Sequence, residues 1–391
     1  MARETTARAR RPRLAYGDGP WAPTVDPATV AGLCGLDDDP AVLLGWTVED
    51  LPWLEAMPPG RVTSVSAGYG LARAIAAGVV DVRSTAISRL PRLVEGELRP
   101  DVAVVVGRPS GTGFVFGPSV GWSSAAARAA VRGVVVEVRS GVPAYDTPPI
   151  PGEILAVVDR PAAPPFRPGR PPSPAEEAIG ATVADLIPPG AVLEFGLGTI
   201  CDAAAARLSV GVRIRSGLVT DALVGLNRRG LLLDRAEAAY AFGGDDLAAL
   251  SAAGRLRLVP SDQTHDIDRL AAFEQFTAVN SALEVGLDAA VNVEVLGGRP
   301  VAGIGGHGDF CAAAARSDGG LSIVALTATR RGRSTIVPAV EHVSTPGHHV
   351  HMVVTEHGVA DLRGINDGER RRRLAAVAAP EFRDALGATP A

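Results

Sequence analysis

Apolar residues in this chain come in short, dense runs separated by glycine turns and alanine-rich stretches. The clearest run is Asp101 to Val106, DVAVVV, which breaks at Gly107-Arg108-Pro109 into a glycine-rich loop through Gly113. An apolar run of this length that ends in a turn signal reads as a strand. Ser123 to Arg132 is alanine-rich and predicts a helix, after which Gly133 to Val138 returns as a strand of valines. This strand-helix-strand rhythm implies a parallel sheet, because parallel neighbours need a crossover between them. The rhythm recurs further on. Ala191 to Phe195 predicts a strand that enters Gly196-Leu197-Gly198 and then a helix from Asp202 to Leu208. A helix near Thr220 to Asn227 follows, then strands at Ala238 to Ala241 and Arg257 to Val259 and a strand or helix entry at Thr277 to Val285. Strands at Ser322 to Leu326 and His349 to Thr355 and a helix from Glu369 to Ala378 close the pattern.

Seven of the fourteen residues from Pro161 to Pro174 are proline, a density that continues neither a helix nor a central strand. It reads as a linker. With 391 residues the chain exceeds one ordinary core and fits two α/β domains. The expected divisions are a mobile tail over 1–20, a first domain over 21–160, the linker over 161–174 and a second domain over 175–391. Ser173-Pro174-Ala175-Glu176 has the form of a capping box, and Ile179, Val183, Leu186 and Ile187 continue it as one buried helical stripe.

Composition narrows the chemistry. All 38 basic residues are arginine, so a Schiff base, a pyridoxal phosphate enzyme and a P-loop kinase, each needing a lysine amine, are excluded. Any phosphate must be met by arginine or backbone N–H. The net charge of −5 and the scattered arginines, apart from Arg370 to Arg373 and the N-terminal group, argue against a nucleic-acid partner. Cys34, Cys201 and Cys311 lie far apart, which fits neither a zinc ribbon nor a disulfide scaffold and makes reduced cytoplasm the simplest compartment. No apolar run approaches the roughly 20 residues that span a bilayer, so no membrane partner is expected.

The stretch from Asn280 to Gly364 strings NSALEVGL, GIGGHGDF and TEHGVADLRG together in one order. In that order and spacing the chain resembles the acetyl-CoA hydrolase/transferase family, class I CoA-transferases that include acetate and 4-hydroxybutyrate CoA-transferases. The resemblance covers roughly residues 65 to 388 and implies two CoA-transferase-type α/β domains, each with a mainly parallel sheet flanked by helices. It also implies coenzyme A, carried as an acyl-CoA substrate, a small acceptor, and a homodimer or homotetramer. The first domain is shorter than the family's, and no counterpart of its glycine-proline loop stands between Trp53 and Ile75.

The family's catalytic glutamate lies in a segment reading I-H-[ST]-E-x-x-[ST]-D, and the matching run here is Ile214 to Asp221, IRSGLVTD. Gly217 stands where the nucleophile belongs. A glutamyl-CoA thioester needs a side-chain carboxylate there, so the resemblance without that residue implies thioester hydrolysis or direct acyl transfer to a small nucleophile. The alternative is a non-catalytic acyl-CoA-binding paralogue or a subunit supporting an active partner. Gly303-Ile304-Gly305-Gly306 corresponds to the family's GxGG loop, where backbone N–H groups approach a carbonyl oxygen. Gly196, Gly198, Ser216, Gly217 and Asn280 join Gly303, Gly305 and Gly306 as expected substrate-binding positions.

Two residues are candidate acid–base groups. Glu194 ends the strand before Gly196-Leu197-Gly198, where relatives more often carry glutamine; its bland reading is a cap on the next helix. His307 replaces a residue commonly glutamine in GxGGQxDF; a structural histidine is its bland reading. Asp221 is expected to cap a helix or orient a loop, Cys201 to be buried packing, and Glu356-His357 to be architectural. The histidines of Gly347-His348-His349-Val350-His351 could share a strand face and bind zinc or copper, but the same positions in the family are not ligands, and no metal is expected.

Overall fold

The computed structural model describes residues 11–37, 39–161 and 170–387. Two eight-stranded sheets organise them. The first is built from β1 (Arg13–Tyr16), β2 (Ala41–Leu44), β3 (Val62–Ser64), β4 (Val80–Val82), β5 (Val102–Ser110), β6 (Gly113–Phe116), β7 (Gly133–Arg139) and β8 (Ile154–Arg160). Its order is β4-β3-β2-β1-β5-β7-β8, with β6 folded back on β5. The second contains β9 (Val192–Phe195), β10 (Arg213–Thr220), β11 (Ala236–Phe242), β12 (Leu256–Leu258), β13 (Phe276–Ser281), β14 (Leu321–Ala325), β15 (Met352–Thr355) and β16 (Gly358–Asp361). Its order is β12-β11-β10-β9-β13-β14-β15-β16.

Only β6 and β16 pair antiparallel within these two sheets. The fold is therefore α/β with mainly parallel sheets, and the same order is used twice. In each sheet the first strand lies centrally, the next three step outward on one side, and the chain then returns to the other side. That reversal creates a crevice beside β1 and β5 in one sheet and beside β9 and β13 in the other, where open parallel sheets place their ligands.

The valine run expected at Asp101 to Val106 is buried as β5, but it continues to Ser110 and turns at Gly111, φ +57°, into β6. The expected glycine-rich loop is thus an exposed hairpin. A larger correction concerns the presumed tail over 1–20. Residues 1–10 lie outside the described residues, yet Arg13–Tyr16 forms the central strand of the first sheet, paired with both β2 and β5. RLAY is too short to show a period of its own; pairing on both edges and burial of Leu14, Ala15 and Tyr16 hold it. Residues 162–169 of the expected linker also lie outside the described residues.

Helix α1 (Ser123–Ala129) crosses from β5 to β7 as predicted. Helix α2 (Pro174–Leu186) starts with the predicted capping box: Ser173 Oγ accepts from Glu176 N–H, and Glu176 Oε2 accepts from Ser173 N–H at 2.7 Å. Glu176 also receives Arg170 through two bonds and the Thr199 hydroxyl at 2.7 Å, so it ties α2 to the start of α3 (Thr199–Arg207). Arg170 holds its carboxyl down at about 2. Gly180 lets α2 press onto α3, since a Cβ there would stand 2.6 Å from that of Ala203.

The loops after the strands of one sheet meet those of the other. Trp46, just past β2, stacks on Phe242 at 5.2 Å and meets Tyr240 edge-on at 5.5 Å. The Tyr240 hydroxyl reaches both Asp18 oxygens, at 3.0 and 3.1 Å. Ser88 donates its N–H and hydroxyl to Asp309 at 3.0 and 2.6 Å, and Ser84 bonds Glu294.

Candidate active site

A pocket of ≈ 250 Å³ opens at the C-terminal ends of β9, β10 and β13, walled from the first half of the chain by Trp46, Ser66, Ala67, Tyr69 and Ile87. Strand β10 pairs with β9 only at Arg213 and Ile214 and then leaves it, which makes the opening. Ser216 Oγ, donating to Phe195 O at 3.2 Å, ties the diverging strands together. Gly217, next along β10, faces the pocket.

Among the described residues Glu194 is the only carboxylate lining this space. It lies on β9 in a buried run, Val192-Leu193-Glu194, and Asn280 of β13 donates Nδ2–H to its Oε2 at 2.7 Å. Gly196 makes room for that partner, since a Cβ there would stand 2.7 Å from Asn280 Oδ1. Burial pushes the Glu194 carboxyl up to about 8, outweighing the Asn280 bond that lowers it. At neutral pH it is mostly the uncharged acid.

The opposite wall is the segment Gly303 to His307, leading into helix α4 (His307–Arg316). Among the described residues the N–H groups of Gly305 and Gly306 have no acceptor, and they stand at the positive end of a ten-residue helix. Gly305 has φ +57°, which favours glycine. His307 is buried, its Nδ1 2.8 Å from Thr345 Oγ1 and its Nε2 without a protein partner. Burial pulls this ring down to about 4.

A larger cavity of ≈ 920 Å³ adjoins the pocket through the shared residues Tyr69 and Leu197 and is lined by Gly198, Thr199, Asp202, Asp221, Arg170, Arg228 and Arg229.

The acetyl-CoA hydrolase/transferase C-terminal domain family matches residues 247–389. The 4-hydroxybutyrate coenzyme A transferase of Clostridium kluyveri is 29% identical over 339 residues, covering 80% of this chain and 78% of that one. Butyryl-CoA:acetate CoA-transferase of Anaerostipes caccae is 28% identical over 239 residues, which cover 54% of this chain and 52% of that enzyme, about half its length. RipA from Yersinia pestis superposes with a TM-score of 0.84 at 25% identity, over 97% of this chain and 94% of RipA. Residues 247–389 are an acetyl-CoA hydrolase/transferase C-terminal domain, and over most of its length the chain is similar to CoA-transferases.

The family motifs converge on one pocket. Glu194, Gly196, Gly217, Asn280, Gly303, Gly305, Gly306 and His307 all line it. Two expected binding residues do not. Ser216 points to the other side of β10, as neighbours on a strand must, into a void of ≈ 30 Å³ beside Cys201 and Ile214. Gly198 belongs to the larger cavity.

Glu194 is not the helix cap of its bland reading, because α3 begins at Gly198 without a side-chain cap. Cys201 is buried and burial raises its thiol well above the ordinary range, so it is packing. Asp221 stands at the N-cap of the helix Ala222–Arg228 without capping it. Glu356 Oε2 accepts from Ala328 N–H at 2.8 Å, an architectural bond. Gly347–His349 forms a 3-10 turn rather than a strand, so its histidines do not alternate on one face. Among the described residues no group of three His, Cys, Asp or Glu side chains is placed to hold a metal ion.

Sequence reasoning missed His265, the one histidine outside the cluster between His307 and His357. It sits in the polar segment Ser261-Asp262-Gln263-Thr264-His265-Asp266, which carries no family motif and no periodicity. It also missed the first half's contribution. Gly68, φ +89°, packs on the Val301 carbonyl, and Ser66 lies against Gly303, so the loop after β3 closes the pocket where no glycine-proline loop was found.

The space beside Gly217 is occupied. A Cβ there would meet His265 Nε2 at 3.1 Å and Phe310 Cε2 at 3.3 Å. The Gly217→Glu variant is therefore expected to form little glutamyl-CoA adduct, because its Cβ presses on two packed rings that must shift before the carboxylate can reach the pocket. Shortening His265 to alanine in the same variant is expected to restore one. Mass spectrometry of the protein after incubation with acetyl-CoA distinguishes the two outcomes.

Proposed function

We propose that this protein processes acyl-CoA thioesters without a glutamyl-CoA intermediate, by hydrolysis or by direct acyl transfer to a small nucleophile. One observation carries the reading: the pocket formed by the family's own motifs holds Glu194 as its sole carboxylate among the described residues, and Glu194 is buried, uncharged and on a different strand from Gly217. A protonated carboxyl is a poor nucleophile but a good hydrogen-bond donor. Glu194, fixed by Asn280, acts in this reading as a neutral acid that donates to the thioester carbonyl oxygen, together with the N–H groups of Gly305 and Gly306. Each donor strengthens as the oxygen gains charge.

Two of the relatives are CoA-transferases by name, one of them between butyryl-CoA and acetate, and an acyl-CoA substrate is proposed here, with a small acceptor or water. The pocket of ≈ 250 Å³ suits a thioester and a short acyl group. The adjoining cavity suits the remainder of coenzyme A, with Arg228 lining it in an exposed pair with Asp246 that a phosphate can displace. His307, neutral and bonded to Thr345, completes the wall.

Incubation with acetyl-CoA and longer acyl-CoAs, with and without carboxylate or amine acceptors, tests the reading. Thioester loss is expected, with no hydroxylamine-sensitive CoA adduct left on the protein. An adduct would overturn the mechanism. CoA binding without thioester loss would support an acyl-CoA binder instead.

A further inference from the structure

One group in the pocket has no part in the scheme above. His265 follows the short helix Ser261–Thr264 and is 1% exposed. Its ring is held from two sides: Nδ1 lies 2.8 Å from Thr264 Oγ1, and the Phe310 ring packs against it at 4.8 Å, tilted 43°. The remaining nitrogen, Nε2, has no protein partner among the described residues and borders the cavity. Two glycines leave room for it. A Cβ at Gly217 would lie 3.1 Å from Nε2, and one at Gly306 would lie 2.7 Å from it. The imidazole thus stands between the strand position emptied of its glutamate and the loop whose amides face the thioester. A side chain at Gly306 would clash with this ring, and one at Gly217 would press on it.

We propose that His265 is the catalytic base of this site, acting through Nε2 on a water that attacks the thioester; this rests on the acyl-CoA-hydrolysing form of the reading above. The water oxygen bonds to the carbonyl carbon as Nε2 takes its proton, and the C=O electron pair moves onto oxygen, facing the Gly305 and Gly306 amides. The carbonyl then re-forms, the C–S bond breaks, and the CoA thiolate takes the proton back from Nε2. Acyl-CoA and water become carboxylic acid and CoA thiol, and the enzyme returns unchanged. The scheme uses the tautomer in which Nδ1–H donates to Thr264 Oγ1, 2.8 Å away, because that tautomer leaves the Nε2 lone pair free.

Electrostatics permits the role and sets its cost. Burial pulls the ring down to about 3, so the basic form prevails throughout the neutral range, and the expensive species is the transient imidazolium. The other pocket groups serve worse. Glu194 is protonated at neutral pH, and His307 does not adjoin Gly217.

His265→Gln is expected to lower kcat for acyl-CoA hydrolysis by about 10²–10⁴-fold, the ordinary yield of a general base, with CoA affinity unchanged by calorimetry. His265→Gly opens a ring-sized space between Gly217 and Gly306, and added imidazole is expected to restore hydrolysis in a saturable manner. Thr264→Val, which frees the tautomer, is expected to reduce kcat without raising KM. A His265→Gln enzyme that keeps more than a tenth of the wild-type rate overturns the proposal and leaves the acyl-CoA reading standing. Loss of activity in His265→Gly that imidazole does not restore, with CoA affinity lost as well, also overturns it, because the ring then acts only as packing. A wild-type protein that consumes no thioester removes both.

Discussion

Glu194→Ala is expected to lower thioester turnover by about 10²–10³-fold, the cost of removing one oxyanion donor, whereas Glu194→Gln should turn over at pH 7 much as the wild type does. The contrast is what separates a neutral donor from a base. Glutamine keeps the acceptor for Asn280 Nδ2 and offers an N–H in place of the acid O–H. A base or nucleophile at this position would not survive the amide. The pH profile sharpens the test. With the folded-state carboxyl at about 8, wild-type activity should fall as pH rises through that value and the donor proton is lost, and Glu194→Gln should show no such fall. The groups facing Glu194 do not interfere near that pH: burial raises the Cys201 thiol well above it and pushes Cys311 up to about 12, and no arginine lines the pocket. Stability should carry the same signature. A carboxyl raised from 4.5 to about 8 by folding favours the folded state most below its ordinary value, and that contribution is lost as pH rises through about 8. Asp18, raised by burial to about 7 and receiving the Tyr240 hydroxyl, adds in the same direction over a lower window. Urea midpoints measured from pH 5 to 9 should decline for the wild type and less steeply for Glu194→Gln. An activity profile for Glu194→Gln that keeps the alkaline fall would assign that fall elsewhere.

What the sequence revealed and what it withheld have separate physical causes. Strands buried on both faces are nearly all apolar, so the valines of β5 and β7 and the run before Gly196 were legible as a parallel sheet. Strand β1 was not, since four residues beginning with arginine show no pattern and gain their place only by pairing with β2 and β5. Glycines in the pocket were legible because motif order marks them, and Gly217 was legible as a missing side chain. The consequence of that loss was not. Which ring stands in the freed space depends on how Ser261–Thr264 packs against β10 and how the His265 ring meets Phe310 of α4, contacts between segments about fifty residues apart on either side. Burial also decided chemistry that residue type left open. Glu194 was readable as a carboxylate, but only its enclosure makes it an acid at neutral pH.

A second large effect is expected far from the thioester, at Glu137 of β7. Its carboxylate is fully buried and accepts four bonds: from Thr24 N–H at 2.9 Å, Val25 N–H at 2.7 Å, the Thr24 hydroxyl at 3.3 Å and Arg139 Nε at 2.5 Å. Arg139, equally enclosed, continues to Glu49 at 2.7 Å and to the Ala22 carbonyl at 2.9 Å. Glu137→Ala leaves that guanidinium without its buried anion and two amides without an acceptor, so a loss of about 3–5 kcal/mol in unfolding free energy is expected. Removing both charges in Glu137→Leu/Arg139→Leu should cost less than Glu137→Ala alone, because the one ion then left without its partner, Glu49, is partly exposed to solvent. Denaturant melts of the single and double variants measure this, and a double variant less stable than the single would contradict it. The network also reaches the site. Glu49 lies three residues beyond Trp46, and Thr47 between them accepts from the Gly70 N–H at 3.0 Å beside Tyr69. Loosening Arg139 should therefore free the pocket wall that Trp46 and Tyr69 build, raising KM for acyl-CoA more than it lowers kcat.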